Sequence, residues 1–164
     1  MREQEVESIV REYVREKYPS KDGWVIPRIS SSTKRPGESG IDVPIYNQKK
    51  GDRLVIEVKK WSDNTAANHN AFYSLFGQLL SRIKNEPAPH YSRRRKMIIA
   101  ATVKFVDLIH KKIHNVRSNR VKGMQGGWSL FSKIVNLRIW TIDMSDRSIQ
   151  EYHWKDLLKE NYKS

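Results

Sequence analysis

The tripeptide Glu57-Val58-Lys59 carries the side chains of this chain that are best suited to chemistry on a phosphodiester. It closes the apolar run 54–56 and follows Asp42 by the length of one hairpin. Successive side chains along a strand point to opposite faces of a sheet, so Glu57 and Lys59 share a face and Val58 points away. A carboxylate and a lysine therefore stand together at the end of a predicted strand.

A hairpin is expected to bring Asp42 to the same place. Segments 41–46 and 53–59 are rich in Val and Ile, and a polar segment that contains Gly51 separates them. This pattern predicts two antiparallel strands joined by a turn. The start of the first strand then lies beside the end of the second, so we expect Asp42 near Glu57 and Lys59.

These residue types suit a hard divalent cation. Mg²⁺ prefers carboxylate and carbonyl oxygens and keeps several waters, so Asp42, Glu57 and the main-chain carbonyl of Val58 would form a partial site completed by water and phosphate. A bound metal lowers the pKa of a water and offsets phosphate charge. Lys59 would position or activate that water. The sequence therefore predicts Mg²⁺ as cofactor, with Mn²⁺ able to substitute, and hydrolysis without a covalent intermediate.

Asp42, Glu57-x-Lys59 and a following helix that carries Gln78 resemble the PD-(D/E)xK nuclease superfamily, which includes restriction endonucleases and Holliday junction resolvases. The resemblance spans about residues 1–103, with the sharp motif in 40–78. It implies a Mg²⁺-dependent deoxyribonuclease, with an endonuclease favoured, in which Gln78 orients Lys59 or a phosphate. The order of elements, with Gly77-Gln78-Leu79-Leu80 and a late hairpin, also resembles small proteins of the fdxN-element excision controlling factor type.

Two positions depart from the superfamily pattern. Ile41 stands where many members have a proline, and Arg82 stands where several exonuclease branches have a tyrosine. The second departure disfavours a processive exonuclease. Many members also bring a glutamate of the first helix into the site. Glu3 borders the apolar stripe of this helix more closely than Glu5 or Glu7, so Glu3 is the first choice and Glu7 the second.

Hydrophobic periodicity gives the elements that must position these residues. It predicts helices over 2–17, 71–84 and 105–116 and a short C-terminal helix, with further strands over 24–29, 97–103, 134–143 and 148–154. Segments 53–59 and 97–103 flank a helix, which predicts a right-handed βαβ crossover with parallel strands. Their carboxyl ends share the edge where open α/β sheets place ligands. We predict one α/β domain over 1–164, with a restriction endonuclease-like mixed sheet, flanking helices and a C-terminal β-hairpin.

The chain is strongly basic, with a net charge of +13 and a pI near 10.0. This charge attracts polyanions, so DNA is the expected partner and RNA an alternative. Trp61 follows the motif lysine and suits core packing and base stacking equally. The residues expected to contact nucleic acid are polar or basic and lie near the predicted carboxyl edge or on the Gln78 helix: Lys34, Arg35, Lys60, Asn64, His69, Arg82 and Lys104.

Composition removes several other classes. The chain has no cysteine, which excludes disulfides, thiolate catalysis and cysteine-based zinc sites. No long apolar run or leader pattern is present, so a cytoplasmic protein without membrane contact is expected. Three alternatives stay open: a solvated charged strand face, a noncatalytic DNA- or RNA-binding protein whose acidic pair is structural, and an accessory protein that forms a homodimer through the C-terminal hairpin.

Overall fold

The computed structural model of the protein describes residues 3–27, 43–83, 95–114 and 137–159, except for the side chains of 81–83 and 95. The described strands form one six-stranded sheet whose order follows the sequence. The strands are β1 Trp24–Val25, β2 Val43–Asn47, β3 Arg53–Lys59, β4 Arg95–Thr102, β5 Leu137–Ile142 and β6 Ile149–His153. The helices are α1 Glu3–Lys17, α2 Thr65–Ile83, α3 Val103–Ile113 and α4 Trp154–Leu157, with a 3-10 turn at Ser20–Asp22.

The directions of the strands confirm the predicted mixed sheet. β2 and β3 form an antiparallel hairpin, and Gly51 in its turn has a φ of 71°, a conformation that favours glycine. β3, β4 and β5 run parallel, as the βαβ crossover through α2 requires. β5 and β6 form the predicted C-terminal hairpin. The carboxyl ends of three parallel strands therefore meet at one edge.

The core lies on both faces of this sheet. On one face, α1 packs Val6, Ile9, Val10 and Val14 against residues that include Ile56 and Val58 of β3. On the other face, α2, α3 and α4 cover a cluster that includes Ile99 and Ile139. Because both faces are covered, the central strands are apolar almost throughout. A charged side chain within these strands is therefore conspicuous.

The helix that follows β3 begins earlier than predicted, at Thr65 rather than at residue 71. Asn64 caps it: the N–H of Ala67 donates to Asn64 Oδ1 at 3.2 Å, and the N–H of Asn68 donates to the Asn64 carbonyl at 3.2 Å. An asparagine at this position satisfies backbone donors that the first helical turn leaves open. The prediction missed this turn because it has no apolar stripe. His69 therefore lies on α2 rather than before it.

The first strand is shorter in the structure than in the prediction. β1 spans Trp24–Val25, and residues 28 and 29 of the predicted strand lie outside the described residues. Within the part of the chain that is described, no helix combines the length and the apolar character needed to cross a membrane.

Candidate active site

Glu57 lies in the second half of β3 with only 1% of its surface exposed. It pairs in register with Ile99 of β4, which belongs to the cluster under α2 and α3. Residues paired across strands present their side chains to the same face. Glu57 therefore points to the face covered by α2, and Val58 packs on the opposite face under α1. This burial contradicts the alternative of a solvated charged strand face for Glu57.

Lys59 lies at the end of the same strand and is paired with the first helix. Its Nζ is 3.8 Å from Glu3 Oε1, and the side chains of Lys59 and Glu3 are 16% and 52% exposed. The separation is that of an ion pair without a hydrogen bond. The other candidate glutamate, Glu7, pairs with Arg11 at 2.7 Å instead. The structure thus places Glu3, the first choice from the sequence, beside the motif lysine.

Asp42 lies outside the described residues, as do Lys34 and Arg35. Asp42 directly precedes Val43, and Val43 pairs with Ile56, the residue before Glu57. Among the described residues, no group of three or more His, Cys, Asp or Glu side chains could hold a metal ion. Of the three expected ligands, Glu57 and the Val58 carbonyl lie in the described part of the chain, and Asp42 lies outside it. The Mg²⁺ site remains a prediction.

Gln78 is half-buried on α2, the helix that covers the face of Glu57. It lies ten residues beyond Asn68, which corresponds to about 15 Å along the helix axis. Arg82 is in the last turn of the same helix, and its side chain is outside the described part. The roles of Gln78 and Arg82 stay predictions.

A pocket of about 360 Å³ opens where the three parallel strands end. Its walls are residues 60–63 after β3, residues 102–104 at the junction of β4 and α3, and residues 142–144 after β5. Lys60 and Lys104, two of the expected nucleic-acid contacts, therefore line one cavity. Sequence reasoning did not identify Asp143 of this pocket, although its position directly after a buried parallel strand was a usable signal.

Three hydrogen bonds hold the β3 side of this pocket in place. The N–H of Ser62 donates to Asn68 Oδ1 at 2.8 Å, and Asn68 Nδ2 donates to the Ser62 carbonyl at 2.6 Å. The N–H of Trp61 donates to Thr102 Oγ1 at 3.0 Å. The segment after β3 is therefore fixed to both α2 and β4. Asn68, which is buried, uses its amide inside the protein, and Asn64 caps α2.

No protein-family model matches the chain, and no curated protein matches it. Two solved structures are similar to it over most of its length. One is an XisH family protein from Nostoc punctiforme, with a TM-score of 0.49 and 13% identity over 90% of this chain and 98% of the other. The second is an fdxN element excision controlling factor protein from Anabaena variabilis, with a TM-score of 0.43 and 18% identity over 87% and 96%. The second neighbour bears the name of the fdxN-element excision controlling factor type, which the order of elements resembles.

Proposed function

We propose that this protein is a Mg²⁺-dependent nuclease that hydrolyses phosphodiester bonds of DNA, with endonucleolytic cleavage favoured. The observation that carries the proposal is the group at the end of β3. Glu57 is a buried carboxylate, and Lys59, two residues on, has its Nζ 3.8 Å from the carboxylate of Glu3. Carboxylate and lysine side chains at the carboxyl edge of a sheet are the groups that hydrolysis of a phosphodiester needs.

Oxygen donors from adjoining strands would hold the metal. Glu57 and the Val58 carbonyl belong to β3, and Asp42 directly precedes β2, which pairs with β3. An all-oxygen set of this kind suits Mg²⁺, with Mn²⁺ as substitute. When bound, the metal supplies an acidified water and offsets charge on the phosphate.

Lys59 has the role of positioning the attacking water and the phosphate. Lys59 is the last residue of β3, two residues beyond Glu57, and its Nζ is 3.8 Å from Glu3 Oε1 of α1. One water loses a proton to solvent and adds to phosphorus while the bond from phosphorus to the leaving oxygen breaks. The leaving oxygen takes up a proton from solvent, and no covalent intermediate forms on the protein. Lys60 and Lys104 add positive charge at the same edge, which suits a polyanionic substrate.

One observation favours a second candidate, a noncatalytic DNA- or RNA-binding protein. The ion pair between Lys59 and Glu3 balances both charges without a metal. In that case Glu57 would be structural, and the basic surface alone would bind nucleic acid. This candidate keeps its affinity for nucleic acid when divalent metals are removed.

The test is incubation of the purified protein with linear, supercoiled, single-stranded and four-way-junction DNA in Mg²⁺, Mn²⁺ or EDTA. We expect metal-dependent cleavage by the wild type, loss of cleavage in Lys59→Ala, and full cleavage in Lys50→Ala, which removes an exposed lysine of the β2–β3 turn. Absence of cleavage of every DNA, with tight binding that persists in EDTA, would contradict the nuclease and favour the binding protein. A molecular-mass measurement on the same sample tests the homodimer expected from the C-terminal hairpin.

A further inference from the structure

The pocket at the ends of β3, β4 and β5 has walls, Trp61 and Asp143 among them, that the reaction assigned to Glu57 and Lys59 does not use. Its volume is about 360 Å³, and pockets for small ligands range from roughly 300 to 1,000 Å³. This volume is at the small end of that range, so it suits one nucleotide and excludes a duplex. We propose that the pocket binds a single unpaired nucleotide of the DNA substrate next to the cleavage site, an inference that rests on the proposed nuclease function.

Two lysines of the pocket are placed to bind the phosphate of this nucleotide. Lys60 directly follows the motif lysine, and Lys104 lies in the first turn of α3. Thr102, at the N-cap of α3, makes no side-chain capping bond to the helix, because its Oγ1 accepts the N–H of Trp61. The first turn of a helix favours an anion, which adds to the attraction of the two ammonium groups. A phosphate held here would be bound by Lys60, the residue that directly follows Lys59 in the sequence.

Trp61 provides the surface for the base. Its side chain is half-buried and packs against the core cluster under α2 and α3, while the residue also lines the pocket. Its main chain is fixed by the hydrogen bond to Thr102 at 3.0 Å. A rigid aromatic side chain that borders a cavity stacks on any base, since every base has a π-face.

Asp143 gives the pocket a hydrogen-bond acceptor for the edge of the base. Its Oδ1 accepts the N–H of Ser145 at 2.8 Å and the Ser145 hydroxyl at 2.7 Å. These bonds fix the carboxylate, and a carboxylate has further acceptor positions. Cytosine carries at C4 an exocyclic amino group that can donate to Asp143, whereas thymine carries at the same position a carbonyl oxygen, which a carboxylate repels. The pocket should therefore disfavour thymine.

The first arm of the test measures fluorescence anisotropy of labelled DNA in EDTA, where no cleavage is needed. The wild type should bind a duplex with one unpaired dC about 5- to 100-fold more tightly than the same duplex fully paired, the range that base–aromatic stacking gives. Trp61→Leu, which keeps apolar packing, should remove this preference, and Trp61→Phe should retain it. The control is Tyr73→Leu, since Tyr73 is 62% exposed and does not line the pocket. Melting temperatures establish that each variant is folded.

The second arm replaces the unpaired dC by dT. Loss of one hydrogen bond should weaken binding of the wild type by about 2- to 10-fold. Asp143→Asn should remove this difference, because the amide offers thymine a donor. Asp146→Asn should leave it intact: Asp146 Oδ1 accepts the N–H of Ser148 at 2.8 Å in the same hairpin turn, and Asp146 does not line the pocket.

Equal affinity for the paired and the unpaired duplex would overturn the inference. Competition by free dCMP, at the concentration at which the duplex with one unpaired dC binds, would also overturn the inference. That result would assign the pocket to a free nucleotide. The two proposals fail separately. Metal-dependent cleavage that needs Lys59, without a preference for the unpaired duplex, rejects the pocket alone; absence of cleavage with the preference intact rejects the nuclease alone.

Discussion

The two ends of α1 meet the sheet in different ways. Near its C-terminal end, the Tyr13 hydroxyl donates to Glu151 Oε1 at 2.9 Å, Lys17 forms an ion pair with the same oxygen, and the Tyr13 ring lies edge-on to Trp140 at 5.1 Å between centroids. At its N-terminal end, Glu3 and Lys59 are 3.8 Å apart and Glu3 is half exposed. The same helix thus carries one closed network and one open ion pair.

Under the proposed function, the difference separates a structural use of charge from a functional one. Burial, followed by the hydrogen bond to Glu151, raises the pKa of Tyr13 to about 12, so Tyr13 stays a hydrogen-bond donor at neutral pH. Its network joins α1 to β6 and uses its polar groups within the protein. At the other end, the loose pair lies at the end of β3, two residues beyond the buried Glu57, where the proposed function requires a metal and a phosphate. We expect substitutions at the closed end to affect stability and substitutions at the open end to affect activity.

The largest expected effect comes from Glu57→Gln, set against Glu151→Gln. Removing the carboxylate that the proposal assigns to the metal should lower Mg²⁺-dependent cleavage by about 1,000-fold, whereas Glu151→Gln should change cleavage by no more than about twofold. Cleavage rates at saturating Mg²⁺, together with melting temperatures, check this prediction. Similar losses in both variants would remove the distinction between the two ends.

Glu3→Gln should have a smaller effect on the same assay. Residues that orient a catalytic group typically contribute about 10- to 100-fold, and the exposure of Glu3 places the expected loss near the lower limit. Glu7→Gln is the matched control, because Glu7 lies one helical turn further on and pairs with Arg11. A larger loss from Glu7→Gln than from Glu3→Gln would reject the assignment of Glu3.

Tyr13→Phe should act on stability alone. Losing the hydrogen bond to Glu151 should lower the free energy of unfolding by about 1 kcal/mol and leave cleavage unchanged, as urea denaturation and the cleavage assay would show. The effect should depend on pH. The folded pKa of about 12 lies above the ordinary 10.0, so the contribution of Tyr13 is complete below pH 10 and is lost as the pH rises through 12. An equal loss of stability in wild type and Tyr13→Phe across this range would contradict the assignment.

The smallest effect is expected at the surface pair between the two ends. Arg11→Gln breaks the ion pair with Glu7. The side chains of Arg11 and Glu7 are 17% and 31% exposed. Helical pairs of this kind contribute about 0.5 kcal/mol or less. Urea denaturation should therefore give nearly the wild-type midpoint and slope, and cleavage should be unaffected. A loss as large as that of Tyr13→Phe would show that α1 is held by more than its apolar face and the Glu151 network.

Much of the frame of the site could be predicted from the sequence, because it depends on local patterns. The apolar run at 54–56 and the turn with Gly51 predicted β3 with the bounds that the structure has. The helical stripe of α1 predicted that Glu3, rather than Glu7, would lie nearer the motif. These patterns have periods of 2 and 3.6 residues that a single segment displays.

The contacts that hold the walls of the pocket could not be predicted in this way, because they join segments that are distant in the sequence. The Thr102 hydroxyl accepts the N–H of Trp61 and does not cap α3. The side-chain amide of Asn68 forms two hydrogen bonds with the main chain of Ser62. Neither choice is visible in the local pattern, where Thr102 fits a helix cap and Asn68 a solvated loop. Asp143 joins the pocket because β5 ends beside β4, and for this residue the preceding buried strand did give a signal in the sequence.

The most direct test of the account is the binding of Mn²⁺, measured by electron paramagnetic resonance for the wild type, Glu57→Gln and Glu151→Gln. The account predicts that the wild type and Glu151→Gln bind the ion alike, and that Glu57→Gln loses this binding while it stays folded. Equal binding by all three proteins, or no binding by the wild type, would contradict the claim that the open end of α1 borders a metal-dependent active site.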